Sequence, residues 1–258
     1  MATAGPRSAF VVCLALVWGM WGPGAALAGS VAEQKGQPRI AQPLLTFEEK
    51  MSWILMLEDR RILRDPTPPA PSATQSPATP ARGKATKNAP VAPPPPPSPD
   101  VLRLLNDSEA RIRRRAALAV GRVGLADGVT PLSQLLVKDT EPEVRQMAAF
   151  ALGLIGSRTA VDPLRAALAD PTPIVQGRAA EAMGLLDDTA SAPAIASMVS
   201  ARAADACVGA LDADDLTHPQ PPAVEAFRLG LYALTRLKAW GALAPLLVDA
   251  GGQPVSRW

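Results

Sequence analysis

The side chains best suited to covalent catalysis are few in this 258-residue chain. His218 is its single histidine, and Cys13 and Cys207 are its two cysteines. A cysteine nucleophile needs a base within hydrogen-bonding reach and a third group that orients the base. Cys207 precedes His218 by eleven residues, and the segment shows no constellation that would orient the pair. The sequence therefore predicts no catalytic residues and no enzyme activity.

A metal site is the other chemistry that this region could support. The segment "DADDLTH", residues 212–218, offers carboxylates and an imidazole. A calcium loop of the EF-hand type needs an oxygen ligand at its fifth position and glycine at its sixth, where this segment has Leu216 and Thr217. A fortuitous metal site and a solvated loop remain as alternatives. We favour the loop and predict neither a metal nor a cofactor.

Charge argues against a nucleic-acid partner. The densest basic cluster is "RIRRR", residues 111–115, but the chain has a net charge of only +2 and is nearly balanced from residue 101 onward. A nucleic-acid-binding protein is expected to show a broader basic stripe. The cluster is better explained as a solvated helix start, with Arg113 in a structural turn.

The elements that would position functional side chains recur along the chain. Three segments align without gaps: "IRRRAALAVGRVG" at 112–124, "VRQMAAFALGLIG" at 144–156 and "VQGRAAEAMGLLD" at 175–187. A second helical segment precedes each of them. A period in the low thirties with two helices per unit predicts an all-α fold, an α-solenoid. We expect about four helical hairpins, at residues 100–128, 129–159, 160–189 and 190–239, and a partial fifth at 240–258.

The repeats resemble the HEAT-repeat family, which is armadillo-like, and in particular the short bacterial PBS-lyase HEAT-like repeats. The matching features are the Pro-Leu pairs at 131–132 and 163–164, the turn from Asp139 to Val144 and Arg145, and the "A-A-x-A" run before an aliphatic residue and glycine. The resemblance implies stacked helical hairpins. It implies no lyase activity, because nothing marks a bilin site, and the paired His-Glu motifs of HEAT-like metal hydroxylases are missing.

Small residues on the second helix of each unit predict close stacking between repeats. Glycine inside a helix costs about 1 kcal/mol relative to alanine, so its recurrence suggests that closer packing offsets the cost. Asp139 and Arg145 are expected to bond between turns or between neighbouring units. The predicted structural residues are Gly121, Gly153, Gly184, Asp139 and Arg145.

A row of side chains facing away from the core on successive second helices is the predicted binding surface, because solenoids bind partners along such concave rows. Its members are Arg114, Leu118, Arg122, Gln146, Phe150, Glu181, Arg228, Tyr232 and Arg236. Aromatic residues among arginines are typical of interaction hot spots. The alternative is that Phe150 and Tyr232 only fill spaces between neighbouring helices.

The N-terminal 28 residues have the features of an export signal. Arg7 supplies positive charge, residues 9–21 are apolar, and "ALA" at 26–28 is a small-residue cleavage site before Gly29. An uncleaved membrane anchor is the alternative, and it is the one case in which we expect membrane contact. After cleavage Cys207 would be the remaining cysteine. We expect it to be buried as a small apolar side chain, and an intermolecular thiol is the alternative.

Three segments precede the repeats. Residues 29–43 are predicted to be a disordered leader, and residues 44–65 an amphipathic helix in which Thr46 and Glu49 form a capping box. This helix must dock on the repeats, on another chain or on a membrane. Residues 66–99 are predicted to be a disordered proline-rich linker that holds the helix away from the repeats. A ligand for an aromatic-lined groove is the alternative for this linker.

These features predict a non-enzymatic exported scaffold, periplasmic or secreted, that binds a protein or peptide. The alternative is the non-catalytic repeat portion of a longer enzyme, such as one that continues into a cyclophilin-type prolyl isomerase domain. That alternative depends on the absence of a polar cap before Trp258. A membrane-tethered assembly factor is a third possibility, if the signal is retained.

Overall fold

The computed structural model describes residues 45–66, 97–210, 219–249 and 251–254. The predicted signal peptide, leader, most of the proline-rich linker and His218 lie outside these residues. The described residues are all-α, apart from two isolated bridges. Their helices are α1 (Phe47–Asp59), α2 (Val101–Leu104), α3 (Ala110–Val123), α4 (Val129–Lys138), α5 (Pro142–Ile155), α6 (Val161–Ala167), α7 (Pro173–Leu185), α8 (Ala192–Ala203), α9 (Ala206–Gly209), α10 (Pro222–Arg236) and α11 (Trp240–Leu247).

The helices form two rows, as the repeat pattern predicts. The second helices of the units, α3, α5, α7 and α10, pack side by side, and the first helices α2, α4, α6, α8 and α11 lie behind them. Leucine, valine and alanine side chains between the rows form one continuous core. The prediction of an α-solenoid of HEAT-like hairpins agrees with this arrangement.

The second helices begin and end at residues with specific backbone roles. Pro142, Pro173 and Pro222 occupy the first turns, where the missing N–H removes no helical hydrogen bond. The α3 and α5 helices end at Gly124 and Gly156, whose φ angles are 78° and 74°. Glycine adopts this left-handed conformation without steric cost, so it ends the helix cleanly.

The α1 helix packs alongside the second helices. The repeat pattern in the sequence did not predict this arrangement. It packs against α3, with Ile54 and Leu57 fully buried, and its capping box between Thr46 and Glu49 is present. Lys50 lies eight residues before Glu58, as Arg113 lies eight residues before Gly121. The helix therefore docks on the repeats, one of the three partners considered for it.

The expectation that the proline-rich segment holds α1 at a distance from the repeats is wrong. The backbone N–H of Asp65 donates to the carbonyl of Pro99 at 3.0 Å, and the N–H of Val101 donates to the carbonyl of Leu63 at 3.0 Å. The two ends of the segment are thus fastened together. Residues 67–96 connect adjacent positions of one packed unit.

The fourth unit departs from the others by extra residues between its helices. The short helix α9 lies there, and Cys207 is exposed on it. The prediction of a buried cysteine is therefore wrong, because the inserted helix lies outside the repeating core. The α11 helix packs on α8 and α10 as the first helix of a fifth unit.

Candidate binding surface on the second helices

Glycines lie where consecutive second helices approach most closely. A Cβ atom added at Gly153 would lie 2.8 Å from the Cα atom of Ala182, so α5 and α7 would have to separate. The same approach recurs at Gly121 against Ala151, Gly177 against Ala226 and Gly184 against Ala233. These contacts fix the spacing between neighbouring second helices.

A ladder of ion pairs joins each unit to the next. Arg113 donates two hydrogen bonds to the Asp139 carboxylate, at 2.7 and 2.9 Å, and Arg145 does the same to Asp170, at 2.8 and 2.9 Å. Arg145 also donates to the backbone carbonyl of Asp139 at 3.0 Å. The two residues predicted to be structural are thus linked through a backbone atom, and each pairs with the side chain of a neighbouring unit.

The first rung of the ladder places α1 in register with the repeats. Lys50 pairs with Asp107 at 2.7 Å, in the position that arginine holds in the next two units.

The hydrogen bonds of the ladder also shift the pKa of Asp139. Burial alone would raise this pKa, but hydrogen bonds from Arg113 and from the backbone N–H of Glu141 outweigh the effect of burial. The pKa of Asp139 therefore lies below its usual value.

The residues predicted to form the binding row lie at equivalent positions on consecutive second helices. Leu118, Phe150, Glu181 and Tyr232 occupy the same position on α3, α5, α7 and α10, three residues before the glycine column or its Thr235 equivalent. The first three are half-buried, and Tyr232 is 46% exposed. Arg114, Arg122, Arg228 and Arg236 are exposed beside them, and Gln146 is half-buried.

Phe150 contacts a neighbouring helix and remains partly accessible. The guanidinium of Arg178 on α7 lies 5.3 Å from the centroid of the Phe150 ring, within cation–π range. Arg178 in turn pairs with Glu181 at 2.7 Å. Phe150 therefore helps to join α5 to α7 while part of its ring remains accessible, whereas Tyr232 is free of such a contact among the described residues.

Two apolar members of the row were not predicted from the sequence. Leu55 on α1 is 54% exposed and lies three residues before Glu58, in the column of Leu118. Leu154 on α5 is 40% exposed and directly follows Gly153. Aligning α1 with the repeats would have identified Leu55.

The helices of the array are packed unequally on its two sides. Neighbouring second helices pack closely, whereas consecutive first helices have few contacts. Stacked hairpins that approach more closely on one side bend toward that side.

The N-terminal end of the row contains an open hollow of about 840 Å³. Glu58 lies at its wall and pairs with Arg115 and with Arg122, the latter at 2.9 Å. Burial alone would raise the pKa of Glu58, but the hydrogen bonds from these two arginines outweigh it and lower the pKa. The ionised carboxylate therefore joins α1 to α3 through its ion pairs with the two arginines.

The described residues lack the features of two other kinds of site. No group of three or more His, Cys, Asp or Glu side chains within them is placed to hold a metal ion. None of their helices combines the length and apolar character required to cross a membrane.

Comparison with known proteins supports the repeat assignment. Residues 129–211 match the family described as HEAT repeats. No curated protein sequence matches significantly. Among solved structures, the chain is similar to the complex of CpcE and CpcF of phycocyanin lyase from Nostoc sp. PCC7120, with 25% identity and a TM-score of 0.47. The match covers 68% of this chain and 65% of that one, so the chain spans less than two thirds of the length of that structure.

Proposed function

We propose that the chain is a non-enzymatic exported scaffold that binds a protein or peptide along the concave row of its second helices, a proposal supported by the match of residues 129–211 to HEAT repeats. The observation that carries the proposal is the row itself. Leu55, Leu118, Phe150, Leu154 and Tyr232 leave apolar surface accessible on α1, α3, α5 and α10. Isolated exposed apolar residues need no explanation, but accessible apolar side chains at matching positions on four of the five second helices, set among charged residues, are typical of an interaction site.

The proposed export and lack of catalysis rest on the sequence. Export rests on the basic, apolar and small-residue regions of residues 1–28, and it predicts a mature chain that begins at Gly29. Mass spectrometry of the protein purified from its native source would detect an uncleaved Met1 end if this were incorrect. The absence of catalysis rests on the isolation of His218 and Cys207 in the sequence.

Partner capture tests the binding proposal. A variant with Phe150→Ser and Tyr232→Ser should lose the proteins that co-purify with the wild-type chain, because both changes remove apolar area from the row. Val137→Ser is the matched control, since Val137 is 63% exposed on the first helix α4, outside the row. Circular dichroism should show unchanged helical content in all variants. Unchanged capture by the row variant would contradict the proposal.

A further inference from the structure

At the C-terminal end of the concave row, an aromatic side chain lies between two arginines. Arg228, Tyr232 and Arg236 lie on α10 at intervals of four residues, which places them on one face of the helix. All three are exposed. Such a combination of tyrosine and arginine is the composition most enriched at binding hot spots.

The charges of these two arginines are not neutralised by carboxylates within the described part of the chain. Arg228 has no ion-pair partner there, and the Nε of Arg236 donates to the backbone carbonyl of Gly184 at 2.9 Å. That bond holds the Nε atom of the guanidinium in place, but the neutral carbonyl does not compensate the positive charge of the group. Among the described residues, the Arg228–Tyr232–Arg236 face therefore carries two positive charges without paired carboxylates.

Elsewhere in the row, and at Arg178 beside it, the arginines already have acidic neighbours. Arg122 pairs with Glu58 at 2.9 Å, and Arg178 pairs with Glu181 at 2.7 Å. Arg114 lies 4.0 Å from Glu143, at the limit of an ion pair. Within the residues that the structure describes, the positive charge of the row that has no paired carboxylate is thus concentrated on α10, at the end opposite α1.

We propose that the Arg228–Tyr232–Arg236 face binds an acidic peptide segment with an apolar residue between two carboxylates. This inference rests on the proposed function and specifies the chemistry of the partner. Guanidinium groups bind carboxylates through paired, charge-assisted hydrogen bonds, and the ring of Tyr232 offers apolar surface between them.

The spacing on α10 sets the spacing of the motif. Eight residues of α-helix separate the backbone positions of the two arginines by about 12 Å. An extended peptide advances about 3.3 Å per residue, so carboxylates about four residues apart match this distance. The apolar side chain midway between them would then lie over Tyr232.

Binding of a synthetic peptide tests the inference directly. The probe is a fluorescein-labelled peptide of sequence Gly-Ser-Ser-Glu-Ser-Leu-Ser-Glu-Ser-Ser-Gly, and the matched peptide has Gln in place of both Glu residues. Fluorescence polarisation with the full chain should show about tenfold tighter binding of the Glu peptide, since each carboxylate adds charge-assisted hydrogen bonds. The difference should shrink as NaCl rises from about 50 to about 500 mM, because salt screens exposed charges.

Protein variants assign the site. Arg228→Gln alone should weaken binding of the Glu peptide several-fold, and Arg228→Gln with Arg236→Gln should reduce it about to the level of the Gln peptide. Arg158→Gln is the control, because Arg158 is exposed between α5 and α6, outside the row. Equal affinity for the two peptides, or full binding by the double variant, would overturn the inference.

The same variants separate this inference from the proposed function. In one outcome, the Phe150→Ser and Tyr232→Ser variant loses the native partners, while the double arginine variant still captures them fully. This outcome would support the binding row and overturn the inference that the partner is acidic. Preference for the Glu peptide together with unchanged native capture by the serine variant would uphold the acidic-peptide site and overturn the proposed function.

Discussion

At the scale of single residues, the glycines of the second helices carry the packing of the array. Gly153 lies so close to Ala182 that a methyl group would meet a backbone atom at 2.8 Å, which no side-chain rotation can relieve. Alanine is the better helix former by about 1 kcal/mol. Helix propensity and packing between repeats therefore make opposite demands at this position.

We predict that Gly153→Ala destabilises the chain, because overpacking of about 1–3 kcal/mol exceeds the gain in helix propensity. Gly241→Ala is the control: Gly241 lies inside α11 with no atom within 4 Å of the added Cβ. That change should stabilise the chain by up to about 1 kcal/mol. Urea denaturation measures both effects, and a stabilised Gly153→Ala variant would contradict the packing argument.

The residue types predicted much of this pattern, but not the partner of each side chain. The recurrence of Gly121, Gly153 and Gly184 in the sequence indicated a close approach between helices. That Arg113 pairs with Asp139 across units could not be read from spacing, because Asp107 in its own unit is much nearer along the chain. The exposure of Cys207 also depends on where the inserted helix lies, which the repeat pattern does not specify.

At the scale of elements, the turns between helices are held by the ladder of ion pairs. In each of the first three units, an aspartate accepts both a basic side chain from the preceding second helix and the backbone N–H two residues later. These aspartates are Asp107, Asp139 and Asp170. The same carboxylates therefore order a turn and fasten adjacent units.

This arrangement predicts a loss of stability in acid. Because the pKa of Asp139 is lowered in the folded chain, the unfolded chain takes up its proton first as the pH falls. The stabilisation is fully present above the ordinary carboxyl pKa of about 4 and is lost as the pH falls below it. Glu58 adds to the effect in the same direction.

Urea midpoints measured from pH 7 to about pH 2.5 test this prediction. Asp139→Asn should lose less stability than the wild type over the acid range, since one of the linked carboxyls is gone. Asp127→Asn, at an exposed position, should retain the wild-type pH dependence. Parallel curves for wild type and Asp139→Asn would show that the ladder does not govern acid unfolding.

The role of α1 shows why an element can escape a repeat search. Its Glu58 stands where the inner second helices have glycine, and the residues between α1 and α2 interrupt the period. The helix nevertheless ends like its neighbours: Arg61 has a φ angle of 56°, three residues after Glu58, as Gly124 has three residues after Gly121. The ion pair of Lys50 with Asp107, which is equivalent to those of the later units, identifies α1 as a second helix where sequence similarity does not.

At the scale of the whole molecule, a long connection leaves and re-enters the array at one place. The backbone hydrogen bonds between Asp65 and Pro99 and between Val101 and Leu63 hold its two ends together. The ion pair between Arg64 and Asp100, at 3.0 Å, joins the same ends. The packing of α1 on α3 therefore does not depend on the length of the connection.

We predict that replacing residues 67–96 by eight glycine and serine residues preserves the fold. Shortening the connection by about two halvings lowers the entropy cost of closing it by about 1 kcal/mol, so the melting temperature should be unchanged or slightly higher. Ile54→Ala with Leu57→Ala is the comparison, because it weakens the docking of α1 itself and should lower the melting temperature. A large loss of stability in the shortened chain would show that the connection contributes to the packing.

The joined ends of this connection also determine how the molecule responds to a protease. A single cut between Pro66 and Pro97 would leave α1 on one polypeptide and the remaining repeats on another. Buried Ile54 and Leu57, with the Lys50 and Glu58 ion pairs, would still hold the two pieces together. A nicked molecule would thus migrate as two bands after denaturation and as one particle in native buffer.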